Sequence, residues 1–184
     1  MSIALLLVDI QNDYFPGGAM EVVDASKAAA AASTLLAAFR AQSLPVVHIQ
    51  HLSARPGATF FIPGTAGAEI HAAVRPLPGE PVFQKHFPSS FRETPLLAYL
   101  RKENITGLLI AGMMTHMCID TTTRAAADLG FTCLLAHDAC ATRALTFNDR
   151  QVSAENVQAA YLAALNGIFA KVASSQELLA ELHG

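Results

Sequence analysis

Short, largely apolar runs recur along this chain at Ile3–Val8, Val46–Gln50, Ile105–Ala111 and Phe131–Ala136. They are too short for helices that pack in a core, and they lack the strict alternation of a strand with one wet face. Such runs fit strands buried on both sides, which calls for a parallel sheet with helices on each face. The stretches between them can supply those helices. Ala25–Ala41 is nearly all Ala and Leu and reads as the first, with Asp24 placed to cap it. Pro81–Lys85 reads as a third, shorter strand, and Thr94-Pro95 as a helix start with Pro at the first helical position. A helix from about His116 to Leu129 stops at Gly130, and another runs from Ser153 to about Asn166. Gly167–Lys171 offers a sixth strand, and Ser174 with Glu177 forms a capping box before a last short helix.

The totals agree with one globular domain spanning residues 1–184. Hydrophobic content of 52% with 15% charged residues excludes a disordered chain. A net charge of −3 without a basic cluster argues against a nucleic-acid partner. No apolar run reaches the length of a membrane span. The apolar start Met1–Asp9 lacks a basic segment and a small-residue cleavage site, so a buried strand is expected there and not a signal peptide. Cys118, Cys133 and Cys140 have neither metal-ligand spacing nor an even framework, which suits a reducing cytoplasm.

Open parallel sheets bind ligands beyond the carboxyl ends of their strands. Asp9 ends the first strand, Lys85 ends the third, and Cys118 follows the fourth. At a strand-to-helix turn, the helix macrodipole is expected to lower the Cys118 thiol pKa. Asp9 could then take its proton, Lys85 supply positive charge, and backbone N–H groups near Met114 and Cys118 form an oxyanion hole. Each residue also has a plain structural reading: a core thiol, a turn carboxylate and a solvated lysine. The Gly- and Pro-rich stretch from His51 to Pro81, with one short helix near Ala66–Val74, is long enough to line a site.

The motifs carry a resemblance. Leu5-Leu6-Leu7-Val8-Asp9-Ile10-Gln11-Asn12-Asp13-Tyr14-Phe15-Pro16-Gly17-Gly18 is similar to the opening motif of the isochorismatase-like cysteine hydrolases. Lys85 with Ser90-Phe91 and Thr94 resembles the second motif, and Gly112 through Ala126, containing Cys118, the third. Asp138 matches the acidic residue after the fifth strand. The resemblance implies a three-layer αβα sandwich with a six-stranded, mostly parallel sheet. It also implies an Asp9–Lys85–Cys118 triad, an oxyanion hole of the Met114 and Cys118 N–H groups, and a cis Met113–Met114 peptide. The implied reaction is hydrolysis of a C–N bond in a small amide, ureido or carbamoyl compound through a thioester on Cys118.

Nicotinamidases of the family carry Asp-x-His after the second strand and a further His, which hold a divalent metal. This chain has His51, Leu52 and Ser53 there, and Phe60-Phe61-Ile62 near the third position. No metal and no other cofactor is therefore expected, although a nicotinamidase with an atypical metal site stays as an alternative, as does a non-catalytic binding protein on the same fold. True isochorismatases lack the nucleophilic Cys. A pocket built from Gln11, Phe15, Phe60, Phe61, Phe91 and His116, with Phe147 nearby, is expected. For each aromatic, core packing is an equal alternative. His116 could instead start the helix or meet a subunit. Arg124 and Asp138 read as a charge pair or loop anchors, Cys133 as core, and Cys140 as a loop residue. Related enzymes suggest a homodimer or higher homo-oligomer meeting through the segment Thr142–Gln151.

Overall fold

A computed structural model describes residues 2–182. Six strands form one sheet: β1 (Ile3–Val8), β2 (Val46–His51), β3 (Val82–Lys85), β4 (Gly107–Met113), β5 (Thr132–Ala141) and β8 (Lys171–Ala173). Between β5 and β8 lies a separate hairpin, β6 (Leu145–Phe147) with β7 (Arg150–Val152). The helices are α1 (Ala25–Ala41), α2 (Leu96–Lys102), α3 (Asp120–Asp128), α4 (Ala154–Leu165) and α5 (Ser175–Leu182). Strand order is β3-β2-β1-β4-β5-β8, and every pairing is parallel.

The unbroken apolar runs explain the layers. All residues of β1 and β4 are buried, and successive side chains point to opposite faces. Ile3, Leu5 and Leu7 enter a core shared with α1 and α5, while Ala4, Leu6 and Val8 enter a second core with α2, α3 and α4. Helix α1 meets the sheet through Ala25, Ala28, Ala29 and Ala32, whose small side chains allow close approach. Gly112 has φ +139, and a Cβ there would lie 1.9 Å from the Val8 carbonyl oxygen, so only glycine fits between β4 and β1.

Several local expectations need correction. Asp24 adopts a left-handed φ of 59 and makes no capping hydrogen bond; its carboxylate pairs with Lys27 instead. The stretch Ala66–Val74 holds two separate 3₁₀ turns rather than one helix. Pro95 occupies the N-cap position, and α2 begins at Leu96. The sixth strand is Lys171–Ala173, shifted past Gly167, whose φ of 85 suits a turn. The fifth strand does not end at Ala136. A register shift between Ile110 and Gly112 lets polar His137 and Asp138 face outward, after which β5 rejoins β4 by pairing Cys140 with Gly112. Cys140 is thus a buried strand residue and not a loop residue. The β6–β7 hairpin turns at Asn148 and Asp149, both left-handed as a tight two-residue turn needs, and it exposes Phe147. The Ser174–Glu177 box is present as expected, and Ser153 caps α4 by accepting from the Asn156 N–H.

Candidate active site

The chain runs outward from β1 through β2 to β3, then returns to β4 and continues to β5 and β8. Strand order therefore reverses between β1 and β4, and a crevice opens beyond their carboxyl ends. Asp9, directly after β1, turns with φ 53, a conformation Asp tolerates better than bulkier residues. Lys85 is the last residue of β3, and Cys118 lies in a wide π-type turn, Thr115–Ile119, between β4 and α3. The Met113–Met114 peptide before that turn is cis.

These side chains meet in a dry cluster. Lys85 Nζ lies 2.7 Å from Asp9 Oδ2, and both side chains are inaccessible to solvent. The contact pairs opposite charges away from water. The ammonium donates to Cys118 Sγ at 3.2 Å and to the Phe87 carbonyl at 3.0 Å, and it lies 3.0 Å from His51 Nδ1. Burial disfavours its charge, but Asp9 and then Cys118 more than offset that, so the Lys85 pKa is raised and the ammonium persists. His51 is held neutral, near 4, first by burial, with Asp9 opposing and Lys85 adding to the effect. Since Lys85 donates to Nδ1, the ring proton of His51 sits on Nε2.

The thiol behaves differently from the expectation of a macrodipole-lowered pKa. Burial, followed by the Asp9 charge, raises it, and Lys85 only partly counters them. Both influences favour the thiol form of the sulfur. Moving its proton to Asp9 leaves the net charge of the buried cluster unchanged, so the transfer escapes the cost of creating new charge in a low dielectric.

Neighbouring residues fix this arrangement. Gln11 accepts from the His51 N–H at 2.7 Å and donates to the His51 and Ala68 carbonyls, each at 2.8 Å. It is fully buried and ties β2 to the loop instead of lining a pocket. Asp13 accepts from the Phe61 N–H at 2.6 Å and from the Ala19 N–H at 3.2 Å. A Cβ at Gly67 would lie 2.1 Å from Asp13 Oδ1, so glycine gives that carboxylate room.

Cys118 opens on a cavity of about 310 Å³, at the small end for ligand sites. Tyr14, Phe60 and Phe61 form one wall, their rings in contact, and Met114 and Met117 line the cavity with Cys118. Polar groups come from His51, Ser53, Arg55, Thr59 and His86. Phe60 and Phe61 thus line the cavity, and the other expected pocket residues do not. Phe15 stacks on His71 at 3.7 Å, and Phe91 stacks on Phe131 at 6.1 Å. His116 bonds the Thr142 hydroxyl at 2.6 Å and meets Tyr161 edge-on. Phe147 is on the exposed hairpin. Arg124 pairs with Asp120 one helical turn away, while Asp138 accepts from the Ser175 N–H and hydroxyl, each at 2.7 Å, so the two are separate anchors. Sequence reasoning missed Tyr14, Arg55 and His86, and it left His51 as a stray residue. The apolar Tyr14 within the opening motif was the available signal.

The donor set fits a metal poorly. Ligand atoms of Asp9, His51 and Cys118 lie within 4.8 Å of one another. The Lys85 ammonium, however, contacts all three and repels a second cation. Ser53, at a position where nicotinamidases carry a ligand, donates its hydroxyl to the Phe60 carbonyl.

A doubly wound parallel sheet with a buried Asp–Lys–Cys cluster at its switch point defines the class of structure. A family model for the isochorismatase domain matches residues 3–177. The sequence is 48% identical over 179 residues to the isochorismatase family protein YddQ of Bacillus subtilis, covering 97% of this chain and 99% of that protein. The crystal structure of an isochorismatase hydrolase from Oleispira antarctica superposes with a TM-score of 0.94 at 49% identity, over 97% of this chain and 96% of the other. The streptothricin hydrolase of Streptomyces noursei is 40% identical over 139 residues, which are 76% of this chain and 49% of that protein. The chain belongs to the isochorismatase family of hydrolases. Among the described residues, no helix is long and apolar enough to cross a membrane.

Proposed function

We propose that this protein hydrolyses a C–N bond of a small amide, ureido or carbamoyl compound through a thioester on Cys118. The observation that carries the reading is the dry contact of Lys85 with both Asp9 and Cys118, at the point where Cys118 opens on a cavity. Asp9 takes the thiol proton as Sγ attacks the carbonyl carbon. The Met114 and Cys118 N–H groups receive the developing oxyanion. Asp9 then gives its proton to the leaving nitrogen, and the C–N bond breaks. Water, deprotonated by Asp9, attacks the thioester and restores the thiol. Lys85 stays protonated throughout and stabilises negative charge wherever it resides, on oxygen or on sulfur. The hydrolase name of the Streptomyces noursei relative agrees with this class of reaction.

The test is an ammonia-release screen over small amides, ureas and carbamoyl compounds, with trapped intermediates analysed by mass spectrometry. Turnover and an acyl adduct on Cys118 are expected, and Cys118→Ala should remove both, lowering kcat by at least ~10³. A Cys118→Ala protein that retains full turnover refutes the mechanism.

A further inference from the structure

Among the described residues lining the cavity, Arg55 is the one Lys or Arg, and no Asp or Glu lines it. The charges deeper in the site do not change that balance, because Asp9 and Lys85 neutralise each other out of reach of solvent. The guanidinium makes no ion pair or hydrogen bond among the described residues. It is close enough to His51 to disfavour a proton there.

The loop that presents it is tied down. The Ser53 N–H donates to the Phe61 carbonyl, and the Ser53 hydroxyl donates to the Phe60 carbonyl, each at 2.8 Å. The Ala58 N–H closes a turn onto the Arg55 carbonyl at 3.2 Å. Asp13 holds the far end through the Phe61 N–H. An unpaired cation on a fastened loop, facing the same small cavity as the sulfur, has the chemistry of a subsite for an anion.

We infer that the substrate carries a carboxylate in addition to its scissile amide, and that Arg55 binds this carboxylate while Cys118 attacks the amide carbonyl. Tyr14, Phe60 and Phe61 would flank the carbon skeleton between the two groups. This inference rests on the hydrolase reading for its amide but not for its anion. A cationic substrate would meet Arg55 with no counter-charge in the lining.

Two measurements separate those parts. The first compares alkylation of Cys118 by iodoacetate and by iodoacetamide, which differ in charge but form the same C–S bond with loss of iodide. The rate ratio of anion to neutral reagent should fall about tenfold in Arg55→Gln and be largely kept in Arg55→Lys. Arg101→Gln, at an exposed position of α2, should keep the wild-type ratio. The second compares ammonia release from succinamate and from its methyl ester. The acid should be preferred, and Arg55→Gln should erase the preference. If both ratios are the same in Arg55→Gln as in the wild type, the subsite is wrong, whatever the amides do. If the alkylation ratio falls but neither amide turns over in any protein, the anion subsite stands and the amidase reading fails.

Discussion

Replacing Lys85 by Met keeps an unbranched side chain one atom shorter and removes its charge, which tests what the ammonium does. The wild-type contact of 2.7 Å corresponds to an attraction of about 6 kcal/mol at an effective dielectric near 20. Desolvation of both ions offsets much of that in the intact pair. In Lys85→Met the offset is gone for one partner only, because Asp9 stays fully buried without a counter-charge. Breaking such a pair from one side costs about 3–5 kcal/mol. The Phe87 carbonyl and His51 Nδ1 lose their donor as well. Asp9→Asn should cost a similar amount, since it leaves the ammonium in the same dry site. The double variant pairs two neutral side chains and should recover at least ~2 kcal/mol relative to the sum of the singles. Urea unfolding at pH 7 with all four proteins measures this cycle. Additivity within about 0.5 kcal/mol would refute the claim that the two charges are held against each other. The same proteins can be alkylated at Cys118. Lys85 is the group that pulls the thiol pKa down, so Lys85→Met should slow that reaction near neutral pH by lowering the thiolate fraction.

Other outcomes follow from single residues. The His51 pKa is depressed to about 4, so the folded protein binds fewer protons than the unfolded chain below its ordinary value of 6.5. Its contribution is complete above pH 6.5 and fades as the pH falls towards 4, by up to about 3 kcal/mol. Urea midpoints from pH 7.5 to 4 should show this decline, and His51→Gln should flatten it; an unchanged slope would count against a buried neutral imidazole. Gly112→Ala places a methyl group on the Val8 carbonyl and should lower stability by about 4 kcal/mol or more, seen as a fall in Tm of roughly 8–16 °C. A soluble Gly112→Ala protein with wild-type Tm would show that β1 and β4 can separate freely.

The sheet was readable because unbroken apolar runs such as Leu108–Ala111 suit only strands covered on both faces. Placing Asp9, Lys85 and Cys118 at one edge then required only strand order and the rule for open sheets. Elements whose pattern is weak were misread. The β6–β7 strands have three residues each and little burial, so no periodicity marks them, although Asn148-Asp149 was a turn signal. The second half of β5 is hidden by His137 and Asp138, which look like a loop because the bulge turns them outward. The thiol was misjudged because a local feature, the helix start, was weighed without the carboxylate and the burial that outweigh it. His51 looked unpartnered because its partners, Gln11 and Lys85, are 40 and 34 residues away. Arg55 had no pattern at all, and only the cavity gives it a context.

The switch point also divides the site between two lengths of chain. Asp9 and Lys85 arrive with β1, β2 and β3, which precede Glu103, whereas Cys118 arrives with β4 and the strands after it. Neither length contains all three side chains, and the seam between them is the β1–β4 pairing that Gly112 permits. The sulfur meets Asp9 and Lys85 only after the two halves have zipped together. Severed near Glu103 and Asn104, the protein would become a pair of silent fragments whose docking could be followed through reactivity at a single atom.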